Sequence, residues 1–163
     1  MIAFASRTGN VRHIVRRLRL PAVEIDEHTA LRQPFLLITY TDKLGEVPEA
    51  VSRFMARNGA YCRGVAVSGN RNFGPHNFGR AGDIIAGQWR IPLIRKMELR
   101  GFPGDYEAIR RFHEAHIGSH IGSDEAHIGS HIEGSEAELE SSIGSYEAHI
   151  GRELRHEIVF AAQ

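Results

Sequence analysis

Ser6-Arg7-Thr8-Gly9-Asn10-Val11 follows a short apolar run, Met1-Ile2-Ala3-Phe4-Ala5, and opens an amphipathic segment. A strand that ends in a glycine-containing turn and passes directly into a helix points backbone N–H groups, hydroxyls and the positive helix end at one spot. The stretch therefore predicts a turn that binds an anion such as a phosphate. On its own it is equally consistent with Ser6 or Thr8 capping the helix and Gly9 permitting the turn.

The composition is that of one ordinary soluble domain. The 163 residues include 20 Lys and Arg, 20 Asp and Glu and a single Cys, and the formal net charge is zero. This balance argues against nucleic acid as a partner. Because Cys62 is alone, an intramolecular disulfide and a Cys-based zinc site are excluded, so redox chemistry would need a cofactor. Without a signal-like leader or a long apolar span, we expect no membrane partner and a cytoplasmic location.

Strand and helix patterns alternate along the first two thirds of the chain. Strands are predicted at 1–5, 22–25, 35–40, 60–67 and 91–99, and helices at 11–20, 48–57, 77–89 and from about 103 onward. The run at 35–40 is almost continuously apolar, as a central parallel strand requires. The predicted fold is α/β, a flavodoxin-like doubly wound five-stranded parallel sheet of order 2-1-3-4-5.

Three polar loops follow predicted strands of this sheet. They are the opening turn, residues 41–48 and residues 68–74. Ligands of open α/β sheets bind outside the carboxyl ends of the strands. We therefore expect the three loops to meet at one site.

From residue 114 the chain repeats every eleven residues, beginning at Glu114, Glu125, Glu136 and Glu147. We divide the chain into a domain at 1–113 and a tail at 114–163. The tail keeps an apolar stripe at hendecad spacing, but its glycines oppose a stable helix, so we expect it to be disordered or marginally helical. Two histidine pairs at i, i+4 spacing, His116 with His120 and His127 with His131, could share a metal on a helix. We favour incidental binding and assign no metal site.

In these three loops the sequence resembles the NrdI family, the small flavodoxin-like proteins that serve class Ib ribonucleotide reductase. The opening turn resembles the family's phosphate loop, and residues 39–48 resemble its second flavin loop. The most distinctive match is Gly64-Val65-Ala66-Val67-Ser68-Gly69-Asn70-Arg71-Asn72-Phe73-Gly74. The resemblance runs from Met1 to about His113 and leaves the tail unexplained.

The resemblance implies a maturation protein rather than a conventional turnover enzyme. FMN would bind noncovalently, be reduced by an upstream flavin reductant and react with dioxygen. The oxidant, taken to be superoxide, would pass to the radical-bearing small subunit of the reductase and assemble its dimanganese–tyrosyl radical cofactor. No catalytic residue is assigned to the chain itself.

The resemblance also implies a set of FMN contacts in the three loops. Amides of residues 7–10 and the hydroxyls of Ser6 and Thr8 would hold the phosphate, with Arg7 a solvated neighbour. Tyr40 or Phe73 would contact the ring, and loop backbone its polar edge. The full set is Ser6, Arg7, Thr8, Gly9, Asn10, Val11, Tyr40, Thr41, Lys43, Leu44, Gly45, Ser68, Gly69, Asn70, Asn72, Phe73 and Gly74.

One stretch departs from the family pattern, because Lys43-Leu44-Gly45 lacks a glycine at its first position. Lys43 and Arg71 near the ring would favour an anionic reduced flavin. Two other functions remain open: an electron-carrier flavodoxin, and an α/β module that binds a phosphorylated ligand without redox chemistry.

Overall fold

The computed structural model describes residues 1–118, which form a five-stranded parallel sheet with helices on both faces. The strands are β1 (Ile2–Phe4), β2 (Ala22–Glu24), β3 (Phe35–Tyr40), β4 (Cys62–Gly69) and β5 (Leu93–Glu98). The helices are α1 (Asn10–Leu18), α2 (Glu49–Asn58), α3 (Arg80–Trp89) and α4 (Pro103–His116). The expectations for the tail after residue 118, with His120, His127 and His131, lie outside the described residues.

The strand order is β2-β1-β3-β4-β5, which confirms the predicted flavodoxin-like order. Ile2 of β1 stands opposite Ala22 of β2 and Leu36 of β3, so β1 is paired on both sides. The central strand β3 is buried along Phe35–Ile38 because both of its faces are covered. This explains its nearly continuous apolar sequence.

Alternate residues of β3 divide the core into two layers. Leu36 and Ile38 pack with Ile14 of α1 and Ile109 of α4. Phe35 and Leu37 point to the opposite face of the sheet and belong to a second core cluster with Phe54 of α2 and Ile85 of α3. Successive side chains of a strand point to opposite faces, so one apolar run serves both layers.

Several predicted boundaries were wrong by a few residues. Residues 60 and 61, predicted as strand, belong to a 3₁₀ helix at Gly59–Tyr61, and β4 extends two residues beyond the predicted end, through Gly69. Strand β5 begins at Leu93 rather than at residue 91. Pro92 has no N–H to donate, and its carbonyl accepts a hydrogen bond from the N–H of Val65 at 3.0 Å.

Helix α3 begins at Arg80 rather than at residue 77. The preceding residues form turns in which the N–H groups of Asn77 and Phe78 donate to the carbonyl of Gly74, at 3.2 and 3.1 Å. Gly79 has a φ of 65°, outside the helical region, and separates these turns from the helix.

Helix α4 begins at Pro103, as predicted, and continues to His116. It therefore extends into the first residues of the repeat. No helix within residues 1–118 is long and apolar enough to cross a membrane.

Candidate functional site

The three polar loops meet at the carboxyl edge of the sheet, where they form a cleft of about 270 Å³. Strands β1, β3 and β4 are adjacent and parallel, so their carboxyl ends bring the loops together. The residues lining the cleft are Arg7, Thr8, Asn10, Tyr40, Thr41, Lys43, Ser68, Gly69, Asn70, Phe73, Asn77 and Leu99.

The first loop presents free backbone donors at the start of α1. Gly9 is the N-cap with a φ of 85°, and no side chain caps this helix end. Among the hydrogen bonds of residues 1–118, none is donated by the N–H groups of residues 8–11. These N–H groups and the positive helix end form a turn that is suited to binding an anion.

The side chains of this loop are already partly engaged with the protein. The Ser6 hydroxyl accepts a hydrogen bond from the N–H of Arg12 at 3.1 Å. The Thr8 hydroxyl accepts one from the Asn10 side chain at 3.3 Å. The Val11 side chain is buried in the core, so only its backbone can face the turn. The loop therefore offers an anion mainly its backbone.

The second loop is a tight turn closed by its own hydrogen bonds. Asp42 and Glu46 pair as an isolated antiparallel bridge, in which the Glu46 N–H donates to the Asp42 carbonyl at 2.8 Å. Lys43, the first residue of the Lys43-Leu44-Gly45 stretch, adopts a φ of 40°. Its ammonium pairs with Glu46 at 2.9 Å, which raises the pKa of Lys43. Leu44 is 68% exposed and does not line the cleft.

An ion pair connects the first two loops, joining the Arg7 guanidinium to the Asp42 carboxylate. The same guanidinium lies over the Tyr40 ring at 5.3 Å from its centroid. Arg7 thus links the first two loops, and its side chain remains 57% exposed. Burial raises the pKa of Tyr40, and the nearby Asp42 carboxylate adds to this effect, so the phenol remains neutral near pH 7.

The third loop turns through a short 3₁₀ helix at Arg71–Phe73. The Asn70 side chain accepts a hydrogen bond from the N–H of Asn72 at 2.9 Å, which holds the turn. Phe73 is 56% exposed at the cleft. Arg71 pairs with Glu98 at 3.3 Å and does not line the cleft.

Two residues that line the cleft were missed by the sequence reasoning. The Asn77 side chain donates to the carbonyl of Phe73 at 2.9 Å and so supports the third loop. Leu99 follows β5 and belongs to a fourth loop. The predicted strand at 91–99 had included Leu99, whereas β5 ends at Glu98 and the turn after it also leaves a carboxyl end of the sheet.

The remaining predicted contacts do not line the cleft. They are Ser6, Gly9, Val11, Leu44, Gly45, Asn72 and Gly74.

The cleft presents two cationic side chains, each of which is paired with a carboxylate of the second loop. Its lining includes Arg7 and Lys43 and no carboxylate, while Tyr40, Phe73 and Leu99 supply apolar surface. The hydroxyl of Thr41 is buried and has no hydrogen-bond partner within residues 1–118. A buried polar atom without a partner is uncommon, and a ligand with polar edges would satisfy it. The arrangement can hold a flat ligand that carries a phosphate.

Comparisons with known proteins agree with this architecture. Residues 2–111 match the family model described as NrdI Flavodoxin like. The chain is 41% identical over 112 residues to the SPbeta prophage-derived protein NrdI of Bacillus subtilis strain 168, covering 66% of this chain and 86% of that protein. It is 36% identical over 106 residues to Protein NrdI of Macrococcus caseolyticus, covering 64% of this chain and 81% of that protein. The chain belongs to the NrdI flavodoxin-like family.

Proposed function

We propose that this chain binds FMN and, once reduced, supplies superoxide from dioxygen to assemble the dimanganese–tyrosyl radical cofactor of a class Ib ribonucleotide reductase. The observation that carries the proposal is the meeting of the three family-specific loops at one cleft with free backbone donors. Membership in the NrdI family supports the flavin and the link to the reductase.

The residues of the cleft fit FMN in three respects. The free N–H groups of residues 8–11 suit its phosphate, and the Arg7 and Lys43 cations add attraction for negative charge. The apolar side chains of Tyr40 and Phe73 suit a flat ring. The unpartnered hydroxyl of Thr41 is available to a polar ring edge.

When bound, FMN would supply electron storage and single-electron transfer to dioxygen. The chain would contribute orientation and charge. Lys43 is exposed and belongs to a cleft lining without carboxylates, so it would favour negative charge on the ligand. Its partner Glu46 and the solvent reduce this effect.

The openness of the site supports a role in which the product leaves for another protein. Phe73 at the cleft and Leu44 beside it are large apolar side chains that remain exposed. An exposed apolar rim around a binding site is typical of a protein interface. The radical-bearing small subunit of the reductase is the partner that we propose for this face.

The first test is a titration of the purified full-length chain with FMN, followed by anaerobic reduction and exposure to air. We expect a bound-flavin absorption spectrum that bleaches on reduction and returns with oxygen. We also expect the second reduction step to lie close to the first, because no carboxylate lines the cleft to oppose negative charge on the flavin. A colourless protein that does not bind FMN would leave only the phosphate-binding module.

A second test separates the proposed role from electron carriage. The reduced protein is mixed with the metal-free small subunit and Mn²⁺, oxygen is added, and the tyrosyl radical is measured by electron paramagnetic resonance. Reduced free FMN at the same concentration is the control. A higher radical yield with the reduced protein than with reduced free FMN supports the proposal. A yield no higher than with free FMN contradicts it.

A further inference from the structure

Leu99 stands at a backbone position that disfavours a bulky side chain. Its φ is 48°, and it is the second residue of the turn from Glu98 to Gly101, which is closed by the Gly101 N–H and the Glu98 carbonyl at 2.7 Å. Positive φ at this turn position normally selects Gly, Asn or Asp. A bulky residue with positive φ is a genuine outlier. The surrounding structure must therefore hold it there.

The end of β4 holds Leu99 through both of its backbone polar groups. Its N–H donates to the Gly69 carbonyl at 2.8 Å. Its carbonyl accepts a hydrogen bond from the Ser68 hydroxyl at 2.6 Å. Ser68 is only 4% exposed, so this hydroxyl is committed to the protein. The two bonds fix the Leu99 backbone relative to the cleft.

Burial in the core does not explain this conformation, because Leu99 is 42% exposed. Its side chain lines the cleft together with Tyr40 and Phe73. Two of the other non-glycine residues with positive φ, Arg19 and Arg90, are helix C-caps, where this conformation is ordinary. Strain that keeps an apolar side chain at the cleft indicates a role in ligand contact.

We propose that Leu99 is a specific contact for the flavin ring and that Ser68 is a positioning residue that holds Leu99 in place. This inference rests on the proposed FMN function. It adds a fourth loop to the site and gives Ser68 an indirect role in place of the direct contact expected from the sequence. The ligand class is a flat, partly apolar ring attached to a phosphate.

The test compares FMN affinity and melting temperature across matched variants of the full-length chain. Leu99→Ala and Leu99→Gly should each weaken FMN binding about fivefold to tenfold, because they remove the apolar wall. Leu99→Met should stay within about twofold, because it keeps an apolar side chain of similar volume. The matched control is Arg90→Gly, which makes the same type of backbone change at an exposed residue that does not line the cleft.

The melting temperature separates ligand contact from general stability. Leu99→Gly and Arg90→Gly should shift the melting temperature of the FMN-free protein by similar amounts, within about 2 °C, since each relieves a positive φ and adds chain entropy. Only the Leu99 variant should lose affinity. Equal FMN affinity in the Leu99→Ala, Leu99→Gly and wild-type proteins would overturn the contact.

A double-mutant cycle tests the positioning role of Ser68. Ser68→Ala should weaken FMN binding about threefold in the wild-type background and have no further effect in the Leu99→Ala background. A loss of the same size in both backgrounds would mean that Ser68 contacts FMN directly, which would overturn its positioning role. A wild-type protein that does not bind FMN would refute the proposed function itself, whereas normal wild-type binding with unaffected variants would refute only this inference.

Discussion

At the scale of single residues, the small hydroxyl side chains were the hardest to assign from sequence. Ser6 accepts from a backbone N–H of α1, and Ser68 donates to the carbonyl of Leu99. Serine and threonine serve both as local backbone partners and as ligand contacts, and the residue type does not distinguish these uses. The structure does so by showing which hydroxyl is committed: among the serine and threonine hydroxyls that line the cleft, only that of Thr41 lacks a partner within residues 1–118.

Cys62 is expected to be chemically inert in the folded protein. Its side chain is 2% exposed at the start of β4, and burial raises the pKa of its thiol to about 11. The thiolate is the reactive form, so native protein should react with a thiol reagent at least about 100-fold more slowly than unfolded protein. The measurement is the reaction rate with Ellman's reagent near pH 8, with and without guanidinium. Comparable reaction rates with and without guanidinium would contradict this prediction and show that the start of β4 opens readily.

At the scale of elements, each strand end and the helix that follows it account for the site. Strands β1, β3 and β4 are largely buried, and each opens into a polar loop at the same sheet edge. Helix α1 contributes its N-terminus, where the absence of a side-chain cap leaves backbone donors for a ligand. Helix α4 packs in the same core cluster as α1, where its Tyr106 and Ile109 side chains are buried.

His113, near the end of α4, should make the folded protein less stable in mild acid. The side chain is buried, and its Nε2 atom has no hydrogen-bond partner among the described residues. Burial lowers the pKa of His113 below its usual 6.5. As the pH falls from about 6.5 toward the lowered pKa of the folded protein, His113 takes up a proton in the unfolded chain but not in the folded one. The free energy of unfolding therefore falls as the pH decreases through this range.

His113→Gln tests this effect, since glutamine cannot take up the proton. We expect the variant to lose less stability than the wild type between about pH 7 and pH 5, measured by urea denaturation at each pH. His13→Gln on the exposed face of α1 provides the matched histidine control. An unchanged pH slope in His113→Gln would contradict the prediction.

At the scale of the whole molecule, the neutral formal charge is the sum of two unlike parts. Residues 1–118 contain eighteen Lys and Arg against eleven Asp and Glu, and the remaining residues contain two against nine. The described domain is therefore basic, which suits an anionic ligand. All residues that line the cleft lie between Arg7 and Leu99.

A chain shortened after Gly118 should keep its FMN affinity within about twofold and its melting temperature within about 2 °C, because cleft and core lie upstream. A chain shortened after His113 should melt lower. It loses the end of α4, where the His116 ring stacks on the Phe112 ring with 4.2 Å between ring centroids, and the buried Ile117 that follows the helix. Titration and thermal unfolding of both chains check this. A folded 1–118 chain that does not bind FMN would contradict it.

The sequence by itself determined the types and order of the elements, the sheet order and the three loops of the site. The elements and loops follow from local patterns, because a strand covered on both faces is apolar throughout and its periodicity differs from that of a helix. The sheet order was predicted by matching these elements to the flavodoxin-like arrangement. Only the tertiary structure decided that Asn77 and Leu99 join the cleft, that Arg7 pairs with Asp42, and that Ser68 holds Leu99. Those facts depend on distances between residues far apart in the chain and on single backbone angles, and neither is encoded in a local pattern of residue types.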